Sequence, residues 1–226
     1  MSLFLENIKK RTDGWWLKKV LSPVYLPVIH KLKFLSINKN FVKEGDSVLL
    51  AAHRALSEIG LFYWLEFGTL LGVYRDGKLI AHDTDIDVGV FIEDFSPKIE
   101  AALLKQGFKK VHKFEIEDGK YGIEESYEYK GVSFDIFYFT KKEDGMICHL
   151  FPFDENKNRV VRELFTSANE FKKIQWQNME VNIPSDTDQR LRDTYGEYTI
   201  KVKDWYTPDA ALNSEIIDKN CTYYKY

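Results

Sequence analysis

The sequence predicts an α+β protein: a mixed β-sheet flanked by helices, behind an N-terminal helical arm. Three observations point there. Apolar residues recur at three- and four-residue steps over 41–60, short aromatic and aliphatic runs bounded by glycines follow from residue 62, and helical and extended patterns then alternate without repeats or low-complexity tracts. At 226 residues, with 44% hydrophobic and 15% aromatic side chains, the chain has enough apolar surface to offset the entropy of ordering, which excludes a disordered protein.

Taken in order, residues 1–40 form a basic arm and residues 41–226 the expected main domain. In the arm, Lys9, Lys10, Arg11, Lys18, Lys19, Lys31, Lys33 and Lys39 face only Glu6 and Asp13, and Trp15 and Trp16 precede aliphatic residues. Indoles, aliphatics and lysines suit a lipid headgroup boundary, so residues 9–34 are a candidate for peripheral membrane contact; packing on the protein's own core is the alternative. Pro23 and Pro27 are expected to break any long helix there. Beyond the arm, Val48, Leu49, Ala52, Ala55, Leu56 and Ile59 define the buried face of a helix that Gly60 ends. A strand over 62–67, a Gly68-Thr69 turn and a helix over 69–75 closed by Asp76-Gly77 come next. Then follow a strand over 86–92, a helix over 97–106 opened by Ser96 and ended by Gly107, and a strand over 108–116. Residues 125–129 and 132–139 read as a hairpin about Lys130-Gly131. Strands near 146–151 and 174–183 precede a helix that Ser185 and Asp186 start and that runs through 192–195.

Charge and cysteine content narrow the function. A net charge of -3 argues against nucleic acid as a partner, whose phosphates need a cationic surface. Cys148 and Cys221 are too few for a disulfide framework or a structural zinc site, and a reducing, cytoplasmic compartment is expected. No apolar stretch approaches the roughly eighteen residues that cross a bilayer, and charges interrupt the N-terminal residues where a signal peptide would be apolar.

The chemistry concentrates between residues 65 and 91. Gly68 and Thr69, between a strand and a short helix, offer backbone amides and a helix N-terminus to an anion; simple turn geometry is the rival explanation. Asp83, Asp85 and Asp87 alternate with Thr84, Ile86 and Val88, so on a strand the three carboxylates share one face while the aliphatic residues enter the core. Such crowding is costly without a proton or cation, and a hard divalent ion such as Mg²⁺ (or Mn²⁺) relieves it. An EF-hand is excluded, because its sixth position would be Val88 and its twelfth Asp94. Asp135 stands in the otherwise apolar run 132–139 and needs a partner. Gly-Thr, then D-x-D on one strand, then a lone Asp on a later strand, is how nucleotidyltransferase-type sites assemble a metal for attack at phosphorus.

The block GTLLGVYRDGKLIAHDTDIDVGV, the later Phe134-Asp135-Ile136, Ile183-Pro184 and Tyr195-Gly196 together resemble the LicD/fukutin family, a branch of the nucleotidyltransferase fold. The resemblance spans 62–205 and is dense from Gly68 to Val88. It implies a metal-dependent phosphotransferase that moves a phosphorylated alcohol, of phosphocholine or polyol phosphate type, from a CDP-linked donor to a sugar hydroxyl of a surface glycan or lipid-linked glycan. His82, where the family more often shows Trp, and Thr84, in place of a frequent fourth acid, are departures that bear on donor choice. On this basis Asp85 and Asp87 take the metal, and Asp135 either completes its shell or accepts the acceptor's proton. Gly68 and Thr69 hold phosphate oxygens, and Arg75 and Lys78 are phosphate contacts or ordinary surface cations. His82 and Asp83 border the substrate site. His30, His53, His112 and His149 show no metal spacing and read as packed or surface residues. The rival functions are a nucleotidyltransferase that consumes a nucleoside triphosphate and a non-catalytic metal- or glycan-binding module.

Overall fold

The computed structural model describes the backbone of residues 15–151, 161–202 and 211–226, with side chains from residue 35 onward. The side chains of the arm's tryptophans and of its basic residues before Lys39 therefore lie outside what is described. Among the described residues four α-helices and eleven strands form a mixed sheet with helices packed on it, the α+β class expected from the sequence.

Helix α1 (Trp15–Glu58) runs for 44 residues, through Pro23 and Pro27, so the expected break at the prolines does not occur. Proline's fixed φ is itself helical, so a ring that removes one hydrogen bond and crowds the preceding turn does not by itself end a helix. The helix also crosses residue 40, the expected edge of the arm. Its end is a Schellman motif: Leu61 N donates to Leu56 O, Gly60 N donates to Ser57 O, and Gly60 takes φ +68°. Val48, Leu49, Ala52, Ala55 and Leu56 are buried as expected, whereas Ile59 lies past the helix end and is 37% exposed. No described helix is long and apolar enough to cross a membrane.

Strand β1 (Tyr63–Leu65) is shorter than the aromatic run suggests, because Glu66 already caps α2 (Phe67–Asp76). β2 (Asp85–Phe91) lies antiparallel to β1. Helix α3 (Pro97–Lys105) starts as expected at Ser96, whose hydroxyl accepts from Lys98 N. β3 (Lys109–Ile116), β4 (Gly122–Tyr129) and β5 (Val132–Lys142) form an antiparallel meander. At the β4–β5 turn Lys130 (φ 53°) and Gly131 (φ 75°) are both left-handed, as a two-residue hairpin requires. β6 (Gly145–Leu150) and β7 (Val161–Thr166) continue beyond the far end of β5. The single strand expected over 174–183 is instead a hairpin, β8 (Phe171–Trp176) and β9 (Met179–Pro184). Gln177 turns it with φ 50°, and no Gly or Pro marks the spot. Helix α4 (Thr187–Tyr195) is capped by Asp186, and β10 (Ser214–Ile217) and β11 (Thr222–Lys225) are edge strands without a sequence signal.

The strands run in the order β10-β7-β6-β5-β2-β1-β9-β8, and β4, β3 and β11 branch from β5. β2 and β5 are parallel neighbours at the centre. Alternation sorts their side chains: Ile86, Val88, Val90, Phe134, Ile136 and Tyr138 enter the larger apolar cluster with Val48, Leu49, Ala52 and Leu56 of α1 and Ile99 and Leu103 of α3. On the opposite face Trp64, Phe67, Phe91 and Phe139 form a second cluster, with the Trp64 indole lying where a Gly89 side chain would be.

One ion pair joins α2 to α4 beneath this second face. Glu66 accepts from Phe67 N (3.1 Å) and Trp64 Nε1 (2.8 Å) and pairs with Arg190 Nη2 at 2.7 Å, both side chains being 1% exposed. Glu66 N donates to Asp87 O, so the pair is bonded directly to β2. Arg190→Ala strands a buried carboxylate and is expected to lower stability by about 3–5 kcal/mol. Urea unfolding measures this, and a loss below about 1 kcal/mol, the scale of a surface pair, would contradict it.

Candidate active site

The parallel pairing of β2 with β5 sets Asp87 opposite Asp135 and Asp85 opposite Ser133. One side-chain oxygen from each of Asp85, Asp87 and Asp135 lies within 4.8 Å of the others, the grouping the sequence pattern leads one to expect. Neighbours hold Asp87, Asp135 and Asp83 in place. Thr69 Oγ1 accepts from Asp87 N (2.9 Å), which ties α2 to β2. Ser133 Oγ donates to Asp135 Oδ1 (2.9 Å). Asp83 precedes β2; its Oδ1 accepts from Thr84 N (3.0 Å), its Oδ2 fills the space where a Gly68 side chain would be, and Asn38 Nδ2 of α1 donates to its carbonyl (2.9 Å). The carboxylates open into a cavity of about 500 Å³.

Burial and mutual repulsion act together on these acids. Burial, then the Asp85 charge, raises Asp83 to about 8 and Asp135 to about 7. Asp85 and Asp87 rise chiefly through burial, and Asp87 also feels Asp85, Asp135, Asp83 and Glu66. Glu124, also in the cavity wall, is pushed up to about 8 by burial and Asp85. Arg75 is the one Lys or Arg side chain among the described residues lining the cavity. Such a set retains protons or holds a cation, and three convergent carboxylate oxygens are the donor type that hard divalent ions take.

With that geometry in view, residues 60–186 match the domain described as LicD/FKTN/FKRP, nucleotidyltransferase domain. The chain belongs to the LicD/FKTN/FKRP family. It is 30% identical over 177 residues to the ribitol-5-phosphate transferase FKTN of Mus musculus, an alignment covering 73% of this chain and 35% of that protein. It is 31% identical over 147 residues to an uncharacterized protein of Rickettsia typhi, 65% of this chain and 43% of that one. A segment of 39 residues is 49% identical to the ribitol 5-phosphate transferase FKRP of Homo sapiens, covering 17% of this chain and 8% of the relative. The chain thus spans about a third of the length of the FKTN relatives.

Within this family domain the other expected site residues separate. Gly68, Arg75, His82 and Asp83 line the cavity. Arg75 Nη1 donates to Tyr198 O (3.0 Å) and its Nη2 pairs with Asp76 (2.9 Å). Thr69 and Lys78 are absent from the lining. Thr69 is 2% exposed and its oxygen already receives the Asp87 amide, so it holds the strand and does not face a phosphate. Lys78 is exposed, just past the end of α2, on the surface-cation side of the alternatives. Gly68 and Thr69 lie inside the first turn of α2, not in a turn before it.

Sequence reading misses Glu124 and His112, which form a pair at 3.5 Å in the cavity wall. A signal existed. The hairpin about Lys130-Gly131, extended by one residue beyond 125, sets Glu124 opposite Phe137, on the face Asp135 occupies.

The pH dependence of folding tests the crowding. Asp83 ionises near pH 4 when unfolded and only near pH 8 when folded, so between these values the folded state binds more protons and stability falls as pH rises. In chelator-treated protein, Asp83→Asn is expected to gain stability relative to the wild type as pH rises from about 5 to about 8. Paired urea titrations read the difference, and a gap that is constant or narrows would contradict the shift.

Proposed function

We propose that the chain is a metal-dependent phosphotransferase that moves a phosphorylated alcohol from a CDP-linked donor onto a sugar hydroxyl of a surface or lipid-linked glycan. The observation that carries this is the convergence of Asp85, Asp87 and Asp135 within 4.8 Å in a domain whose relatives are named ribitol-5-phosphate transferases. Those names favour a polyol phosphate over phosphocholine as the transferred group.

Asp85, Asp87 and Asp135 would hold Mg²⁺ or Mn²⁺. The bound ion would supply charge neutralisation for the donor diphosphate and for the nucleotide as it leaves. The chain's own groups do the positioning. Arg75 stands in the wall, its guanidinium held by Tyr198 O and Asp76, and brings a positive charge to the side of the cavity where a donor phosphate would sit. Gly68 keeps the first turn of α2 bare, so that Asp83 and a ligand can approach the helix's positive end. His82, exposed at the rim, and Asp83 border the donor. The acceptor hydroxyl gives up its proton to a carboxylate of the cavity as its oxygen bonds to the phosphorus of the transferred group; the bond from that phosphorus to CMP breaks, and CMP takes the electron pair. Residues 41–226 make up this catalytic domain. The basic arm, through residues 9–34, meets an anionic membrane surface on the cytoplasmic side, a placement supported by its lysines and paired tryptophans.

Incubation with CDP-ribitol, CDP-glycerol or CDP-choline and Mn²⁺ is expected to release CMP, most from a polyol donor. Asp87→Asn should cut that release by about a thousandfold or more, since metal-borne charge stabilisation is worth several kcal/mol, while leaving the fold intact. Near-normal turnover by the variant, or pyrophosphate release from a nucleoside triphosphate in place of CMP from a CDP-alcohol, would refute the assignment.

A further inference from the structure

The register of the central strands lays out the cavity floor as rows. Asp87 of β2, Asp135 of β5, Ser126 of β4 and His112 of β3 follow one another across the sheet, and Gly89, Phe137, Glu124 and Phe114 form the adjacent row. Glu124 therefore shares a face with the three aspartates but stands two strands from β2. The residue is 8% exposed, lines the cavity and has Oε1 3.5 Å from His112 Nε2.

Asp135 is committed elsewhere. It lies with Asp85 and Asp87 and accepts the Ser133 hydroxyl, a bond that favours the ionised form a metal ligand needs. Asp83 is held on the α2 side, against Gly68 and Thr84 N. Glu124 is the buried cavity carboxylate that remains.

Direction completes the case. α2 packs on β2, and its Arg75 reaches toward Tyr198 beyond α4, so the cationic wall lies on one side of the β2–β5 seam. Glu124 lies on the other side, between Phe137 of β5 and Phe114 of β3 in its row and paired with His112. In-line displacement places nucleophile and leaving group on opposite sides of phosphorus. An anionic donor held at Arg75 thus directs its leaving nucleotide one way and receives a neutral acceptor from Glu124's side.

Resting on the phosphotransferase reading above, we propose that Glu124 is the catalytic base that takes the proton of the attacking hydroxyl, with His112 as its positioning residue. The O–H bond breaks as the oxygen bonds to phosphorus; its proton passes to the Glu124 carboxylate and then to solvent, and CMP leaves with the electron pair. The charged and titratable groups that face Glu124 are His112 from β3, Asp135 from β5, Asp85 from β2 and Cys148 from β6. Burial raises Glu124 above the ordinary carboxylate range, which favours its taking a proton.

The test is CMP release from CDP-ribitol, CDP-glycerol or CDP-choline, with water and methyl glycosides as acceptors, followed against pH beside Mn²⁺ titrations. Glu124→Gln is expected to lose about a hundredfold or more in kcat and the acidic limb of the pH profile, with donor KM and Mn²⁺ affinity within about threefold of the wild type. Asp135→Asn, in contrast, should lose Mn²⁺ affinity. If Glu124→Gln does not fold, Glu124→Asp decides: the shortened carboxylate should lower kcat at unchanged KM, and full activity would overturn the proposal. So would a Glu124→Gln protein with kcat within about threefold of the wild type, or one that loses Mn²⁺ as Asp135→Asn does. A wild type that releases no CMP from any of the donors would overturn the phosphotransferase reading and this role together; an active wild type with an equally active Glu124→Gln overturns this role alone.

Discussion

Repulsion among half-buried carboxylates is the constraint around which the molecule is arranged. Asp85, Asp87 and Asp135 come together because two parallel strands run in register at the centre of the sheet, and the same strands bury Ile86, Val88, Phe134 and Ile136 on the opposite face. A register slip of one residue would exchange the faces, placing carboxylates in the core and aliphatic side chains in the cavity. Apolar burial on one face therefore holds like charges together on the other, where electrostatics alone would separate them.

The surroundings limit how far the acids can relax. Glu66 and Arg190 join α2 to α4, Thr69 receives the Asp87 amide, and Asn38 of α1 binds the carbonyls of Ala81 and Asp83. Phe67, at the start of α2, takes φ 45°, a left-handed conformation that costs a non-glycine residue on the order of 1–3 kcal/mol. Its ring packs edge-on to Phe137 at 4.8 Å and lies under the Arg190 guanidinium, contacts that hold this backbone beside the carboxylates. Strain of this kind persists where its neighbours over-determine the geometry, and here it lies at the wall of the cavity.

Much of this arrangement can be read from the chain, and the part that cannot has identifiable causes. The period-two spacing of Asp85 and Asp87 and the lone Asp135 in an apolar run carry the site because alternation is a local property. Lys130-Gly131 fixes the hairpin for the same reason. Glu124 escapes because it stands one residue outside the visible alternation, and its meaning comes from the β4–β5 register. Thr69 looks like a phosphate contact in a Gly-Thr turn, yet its partner is an amide 18 residues away, which only tertiary structure supplies. The β8–β9 turn lacks Gly and Pro, β10 and β11 are edges of four residues each, too short to show a period, and α1 continues through two prolines that local rules read as breaks.

The most direct measurement of the central claim is diffraction from crystals equilibrated with Mn²⁺, collected near the manganese absorption edge. One anomalous peak bounded by oxygens of Asp85, Asp87 and Asp135 is the expected result. Saturated crystals with no peak there, or with Asp135 turned away from the other two, would contradict it.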